Sequence, residues 1–177
     1  KVIFGEATEY LQGGFFQRMK NIPEIIYSNK NKKRFKQLLD EFRPDVVHVF
    51  AIYITITPSI LDACREAGVP VVMSCNDYKH ICPNYRLFHH GHLCEECKGG
   101  KFYNAFLNNC SKYSPAVSLV SAVEGYVHQY LNIWKKNVSL FLFESRFMMN
   151  KTEEFWGKSA AELRFLGKPF HAPAFSC

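Results

Sequence analysis

The sequence contains no apolar run that approaches the roughly 18 residues a membrane-spanning helix needs. Its start, KVIFGEATEY, lacks both the charged lead and the apolar core of a signal peptide. It contains no internal repeat and no low-complexity tract. These absences argue against an integral membrane protein and an exported one. We therefore predict a cytoplasmic location. The basic charge is also compatible with a position at the inner face of the membrane.

The composition is that of a folded domain with a basic surface. The chain has 177 residues, of which 47% are hydrophobic and 15% aromatic, enough for one α/β domain with its own core. The net charge of +6 is compatible with an anionic partner such as a nucleotide-sugar, a phosphoprenyl lipid, a membrane surface or nucleic acid. A basic solvated face is the simpler alternative. Because the chain begins without Met and stops at HAPAFSC, we expect residues 1–177 to be one domain truncated at both ends.

The cysteines do not form the pattern of a disulfide framework. There are seven of them, an odd number, and no export signal accompanies them. Cys64 falls on the apolar face of a predicted helix and Cys75 near the end of a predicted strand. We expect both to be buried core thiols, since free cysteine is among the most buried residue types.

Four further cysteines lie in a segment at 82–110 that reads as an insert. Cys82, Cys94, Cys97 and Cys110 follow the spacing C-x11-C-x2-C-x12-C. A C-x2-C pair supplies two thiolates from one tight turn, and two more cysteines from flanking loops could complete a tetrahedral structural zinc site. The alternatives are reduced cysteines that pack a loop, or one disulfide. A redox dithiol or an iron–sulfur cluster is disfavoured because no neighbouring sequence pattern indicates a redox partner.

Strand and helix patterns alternate along most of the chain. The run at 45–50 is nearly all apolar, which is typical of a parallel strand covered on both faces, and His48 within it is expected to be a core residue. Ser59, Ser114 and Ser145 are predicted helix N-caps. This alternation predicts an α/β fold with a doubly wound parallel sheet and the insert at 82–110. The predicted strands are 45–50, 69–73, 138–143 and 163–166, and the predicted helices are 31–42, 60–67, 115–136 and 146–156.

Polar residues follow two of these strands, where open α/β sheets bind their ligands. After the strand at 69–73, Asp77 could orient a hydroxyl or take its proton, or it could cap a turn, and Lys79 could meet a phosphate. After the strand at 138–143, Ser145 is explained by capping, and Arg146 could add a phosphate contact.

Several strings, in a consistent order over residues 25 to 170, resemble the N-terminal half of family 4 glycosyltransferases with the GT-B fold. They are PDVVHVF, PSILDACREAGVPVVM, NDYKHICPNYRLF, CEECKGGKFYNAFLNNC and ESRFMMNKTEEFW. The resemblance implies a Rossmann-like acceptor-binding domain of a retaining enzyme. Such an enzyme transfers a sugar from a nucleotide-sugar to a polysaccharide, lipopolysaccharide or lipid-linked acceptor. In that family a second domain holds the donor, and because the sequence given stops at Cys177, we expect the domain alone to be inactive.

The resemblance also assigns roles to single residues. It implies a catalytic role for Asp77 and substrate binding by Asn76, Tyr78, Lys79, Ser145 and Arg146. Asn76 stands where the family usually has His, and Phe50 and Ala51 stand where it has a second His and an Asn. These departures keep a degenerate transferase open as an alternative. The other alternative is a non-enzymatic, zinc-stapled basic module that binds protein or nucleic acid, although the scattered aromatics disfavour nucleic acid.

Overall fold

The computed structural model describes residues 15–53, 56–111, 114–157 and 161–167. These residues form a mixed α/β structure around a parallel sheet. Among them, no helix is both long and apolar enough to cross a membrane. In chain order the elements are α1 (Phe15–Ile26), α2 (Asn29–Phe42), β1 (Val47–Phe50), α3 (Ser59–Glu66), β2 (Val71–Cys75), β3 (Phe88–His89), β4 (His92–Leu93), α4 (Tyr103–Leu107), α5 (Pro115–Tyr130), β5 (Leu140–Phe143), α6 (Arg146–Trp156) and β6 (Glu162–Phe165).

The main sheet has four parallel strands in the order β1-β2-β5-β6. This confirms the predicted parallel sheet, and each predicted strand coincides with an observed one to within two residues. The short strands β3 and β4 form a separate antiparallel pair inside the insert. The long connection from β2 to β5 therefore carries the insert, which includes α4, and then α5.

Local hydrogen bonds account for where several helices begin. The hydroxyl of Ser114 accepts from the backbone amide of Val117, so the predicted cap of α5 is confirmed. Ser59 is not a cap, because it is the first residue of α3 and its hydroxyl donates to the backbone carbonyl of Ser28. Helix α5 ends at Tyr130, earlier than predicted.

Only one face of the sheet is well buried among the described residues. Along β2 and β5, fully buried residues such as Met73 and Phe141 alternate with half-buried ones. In β1, Phe50 is 54% exposed and His48 is exposed, so the prediction of a strand covered on both faces and of a core His48 was wrong. The reason is topological: when chain order and strand order run the same way, right-handed crossovers place every connecting helix on one side.

The buried face packs against the helices in a single hydrophobic core. Its strand residues meet Leu39 of α2, Leu61 and Cys64 of α3, and Met148 of α6. Cys64 and Cys75 are both fully buried, as predicted. The strands β2 and β5 are thus packed into the core up to their last residues, Cys75 and Phe143.

The difference in burial between the two faces of the sheet leads to a testable prediction about two phenylalanines. Replacing Phe141, which is 0% exposed, with Ala should lower the free energy of unfolding by about 3–5 kcal/mol through lost burial and a residual cavity. The matched control Phe50→Ala, on the exposed face, should cost about 0.5 kcal/mol or less. Urea unfolding followed by circular dichroism measures both. Equal losses would contradict a one-faced core.

Candidate functional site

The carboxyl ends of β2 and β5 lie side by side. Cys75 pairs with Phe143 as the last register partners of the two strands. The segments that begin at Asn76 and Glu144 therefore leave the sheet at the same edge, where ligands of open parallel sheets bind. We call this the strand-end site and define it by Asn76, Asp77, Ser145 and Arg146.

Asp77 is held in a fixed position at this edge. Its Oδ1 accepts a hydrogen bond from the hydroxyl of Tyr53 at 2.7 Å and from the backbone amide of Lys79 at 2.9 Å. Burial, followed by the bond to Asp77, raises the pKa of Tyr53 above its usual value, so this phenol stays protonated as the donor. The turn-capping role of Asp77 is thus observed, and its catalytic role stays a prediction.

Ser145 and Arg146 occupy the neighbouring position after β5. The Ser145 hydroxyl accepts from the amides of Phe147 at 3.1 Å and Met148 at 3.4 Å, which confirms it as the N-cap of α6. The exposed guanidinium of Arg146 lies 4.7 Å from the centre of the Phe165 ring. Asn76 is also exposed. Asn76 and Arg146 are therefore the most exposed polar side chains of the strand-end site.

Lys79 and Arg146 contact different groups. Its ammonium donates to the carboxylate of Glu124 at 2.6 Å and to the carbonyl of Pro83 at 3.0 Å. The ion pair is well shielded, with side-chain exposures of 12% and 10%. Lys79 thus already has an anionic partner, and it ties the segment after β2 to helix α5.

Tyr78 serves as the centre of a tight turn. Its backbone carbonyl accepts from the amide of Cys82 at 2.7 Å, and its amide donates to the carbonyl of Tyr85 at 2.9 Å. Its half-buried ring packs against the main core. Burial raises the pKa of the phenol. These contacts account for Tyr78 structurally, and substrate binding by it stays a prediction.

Sequence reasoning missed a cavity beside the Lys79 ion pair. The cavity has a volume of about 310 Å³, at the lower end of the range for small-molecule sites. The sequence contained a signal for this cavity, because Glu124 is the one acidic residue in the mostly apolar helix α5. Its lining includes Phe102 of the insert, Glu124 and Gln129 of α5, Trp134, and Trp156 of α6.

His80 fastens the same segment to the core. Its Nε2 lies 2.8 Å from the hydroxyl of Thr152, and its ring contacts Phe143 and Trp156. Burial lowers the pKa of His80 from 6.5 to about 3, so the ring is neutral at physiological pH. No sequence pattern singled out this residue.

The four cysteines of the insert line one small cavity of about 10 Å³. Their thiols are free and close enough to interact electrostatically, and burial raises the pKa of Cys97 to about 12 and that of Cys110 to about 11. Within the described ranges, no three His, Cys, Asp or Glu side chains are arranged at metal-ligand geometry. The alternative of a disulfide is not realised among these four residues.

Comparison with known proteins finds no matching family, no similar curated protein and no similar solved structure. Interpretation of the sites therefore depends on the residues and geometry described above.

The first prediction from this region concerns pH. Unfolded His80 binds a proton near pH 6.5 and native His80 only near pH 3, so unfolding takes up a proton between these values. Stability should fall as the pH falls through this window, by about 1.4 kcal/mol per pH unit from this residue. His80→Phe should reduce the measured slope of unfolding free energy against pH by that amount. An unaltered slope in His80→Phe would refute the assignment.

The second prediction concerns the buried ion pair. Lys79→Ala leaves the Glu124 carboxylate buried without a cation, so we expect the free energy of unfolding to drop by about 3–5 kcal/mol. Lys79→Met with Glu124→Leu should recover much of this loss, because neither charge remains. As a control, Lys32→Ala breaks the more exposed pair with Glu66 and should cost about 1 kcal/mol or less. Chemical denaturation measures all three, and similar losses in the two single variants would argue against a buried pair.

Proposed function

We propose that this chain is the acceptor-binding domain of a retaining glycosyltransferase, with a Rossmann-like domain of the GT-B type. The acceptor would be a polysaccharide, a lipopolysaccharide or a lipid-linked sugar. The donor would be a nucleotide-sugar held mainly by a second domain that faces the strand-end site. Two things support the proposal: the resemblance of the sequence strings quoted above, and the arrangement of the residues that follow the strands.

The observation that carries the proposal is the continuity of the strand-end site across the sheet. Tyr53, which follows β1, donates to Asp77, which follows β2. Arg146, which follows β5, stacks on Phe165 at the end of β6. The carboxyl ends of all four strands thus contribute to one row of side chains, which contains an acidic group, a cation and an aromatic ring.

These groups match the chemistry of a sugar attached to a phosphorylated lipid. The amide of Asn76 can both donate to and accept from sugar hydroxyls, and the guanidinium of Arg146 can bind phosphate oxygens with two parallel hydrogen bonds. The carboxylate of Asp77 is the group that could orient or deprotonate the attacking hydroxyl. The domain would therefore contribute orientation and electrostatic stabilisation to the transfer.

The test is a titration of the isotopically labelled chain, followed by NMR amide shifts. The probes are a short prenyl diphosphate that carries one N-acetylhexosamine, and the free N-acetylhexosamine. We expect shifts at the strand-end site, and Arg146→Ala should weaken binding of the diphosphate probe at least tenfold, the value of one charge-assisted hydrogen bond. Binding of the free sugar should change little.

Arg86→Ala is the matched control, because Arg86 is another exposed arginine stacked on an aromatic ring, that of Tyr85. It should bind both probes as the unaltered chain does. Shifts confined to the 310 Å³ cavity would overturn the assignment of the strand-end site. Binding of a random oligonucleotide with a steep salt dependence, and of neither sugar probe, would favour the non-enzymatic module instead.

A further inference from the structure

The insert at 82–110 folds without a substantial hydrophobic core of its own. Its small buried cluster consists of Cys97 and Ala105 with Ala122 of α5, and Phe102 and Cys110 pack against it. Leu87 is also buried, but most of the larger apolar side chains point outward: Phe88, Leu93, Tyr103, Phe106 and Leu107 are 41–68% exposed. A segment of this kind needs another source of stability, such as a disulfide or a metal.

The four cysteines converge although they come from three separate parts of the insert. Cys82 follows the turn after β2, Cys94 and Cys97 follow the β3–β4 hairpin, and Cys110 follows α4. All four line the same cavity of about 10 Å³, roughly the space of one water-sized sphere. We infer that Cys82, Cys94, Cys97 and Cys110 bind one structural Zn²⁺ ion. This inference does not depend on the proposed function.

Backbone amides lie close to two of the sulfurs. The amides of Asn84 and Leu87 lie near Cys82, and the amide of Ala105, which donates to the carbonyl of Phe102 at 3.0 Å, lies near Cys97. A neutral thiol is a weak acceptor. A metal-bound thiolate is a strong one, and hydrogen bonds to the ligands are the usual outer support of metal sites. The amides are therefore placed where a tetrathiolate would need them.

A nitrogen atom of His89 gives a second line of support that does not depend on the cysteines. Its ring lines the same cavity, and its Nε2 is buried without a hydrogen-bond partner among the described residues. Beside a zinc-bound thiolate, the Nε2–H group would have an acceptor. We assign His89 as a positioning residue that donates to a ligand sulfur, outside the four ligands themselves.

Four sulfur donors favour zinc among the common metals of folded domains. Binding draws the thiols inward onto the ion, and the four thiol protons pass to the buffer. The glycines after the C-x2-C pair allow the backbone turn that this movement of the thiols needs. Gly99 and Gly100 both have positive φ, so the chain can reverse directly behind Cys97.

The experiment begins with the full chain, expressed with zinc and purified under reducing conditions. We expect one zinc per chain by elemental analysis, and X-ray absorption with four sulfurs at about 2.3 Å. Cys97→Ser should retain less than about a tenth of the zinc, because three thiolates hold the ion far more weakly than four. Cys64→Ala removes a buried cysteine outside the insert and should retain it all. Zinc below a tenth per chain in the unaltered protein, stoichiometric iron, or equal loss in Cys64→Ala would overturn the site.

A second measurement covers the case in which Cys97→Ser does not fold. In the unaltered chain, a chelator should make the four insert thiols react with iodoacetamide, while Cys64 and Cys75 stay protected. Equal reactivity of the insert thiols before and after chelation would refute the site. For His89, the variant His89→Ala should weaken zinc affinity 10–100-fold. His92→Ala, on the same hairpin but exposed, should leave affinity unchanged, and an unchanged affinity in His89→Ala would refute its role.

Discussion

The pairing of β2 with β5 is the constraint on which the rest of this structure depends. It joins the middle of the sheet across the longest connection in the chain, which holds the insert with its helix α4, and α5. Parallel pairing requires such a crossover. The pairing brings Asn76 and Arg146 to the same end of the sheet, and the connection returns to the hydrophobic core through Ile133 and Trp134. The strand-end site follows from this one register.

Buried polar contacts hold the crossover in place. His80 joins the segment after β2 to Thr152 of α6, and Lys79 joins the same segment to Glu124 of α5. His128 extends this pattern, since its Nε2 lies 2.9 Å from the carbonyl of Ile26. Such contacts are directional, and a buried group that loses its partner is costly, so they select one arrangement of helices over others with similar apolar burial.

The two proposed sites lie in different parts of the region around the β2–β5 crossover. The strand-end site lies at the carboxyl ends of the strands. The cysteine cluster lies in the insert, where several large apolar side chains are exposed to solvent. Cys82, Pro83 and Cys97 border both the cysteine cavity and the larger cavity. Metal binding at the cluster would therefore shape one wall of the larger cavity without contacting the strand-end site.

Much of the fold could be predicted from sequence because it depends on neighbouring residues. The alternation of apolar runs and helical stripes identified the strands, and Ser114 and Ser145 were predicted caps because a cap is formed within three residues. The cysteine spacing likewise identified the four thiols that now line one cavity.

The candidate site was predicted less completely. The polar residues after β2 and β5 were identified because strand ends are visible in the pattern. The partner of Lys79 was not, because Glu124 lies 45 residues away, and the exposure of His48 depended on which side the crossovers took. Sequence by itself determined the local elements, two of their caps and the cysteine spacing. The tertiary structure decided which face was covered and which charges met, because those contacts join residues that only the folded topology brings together.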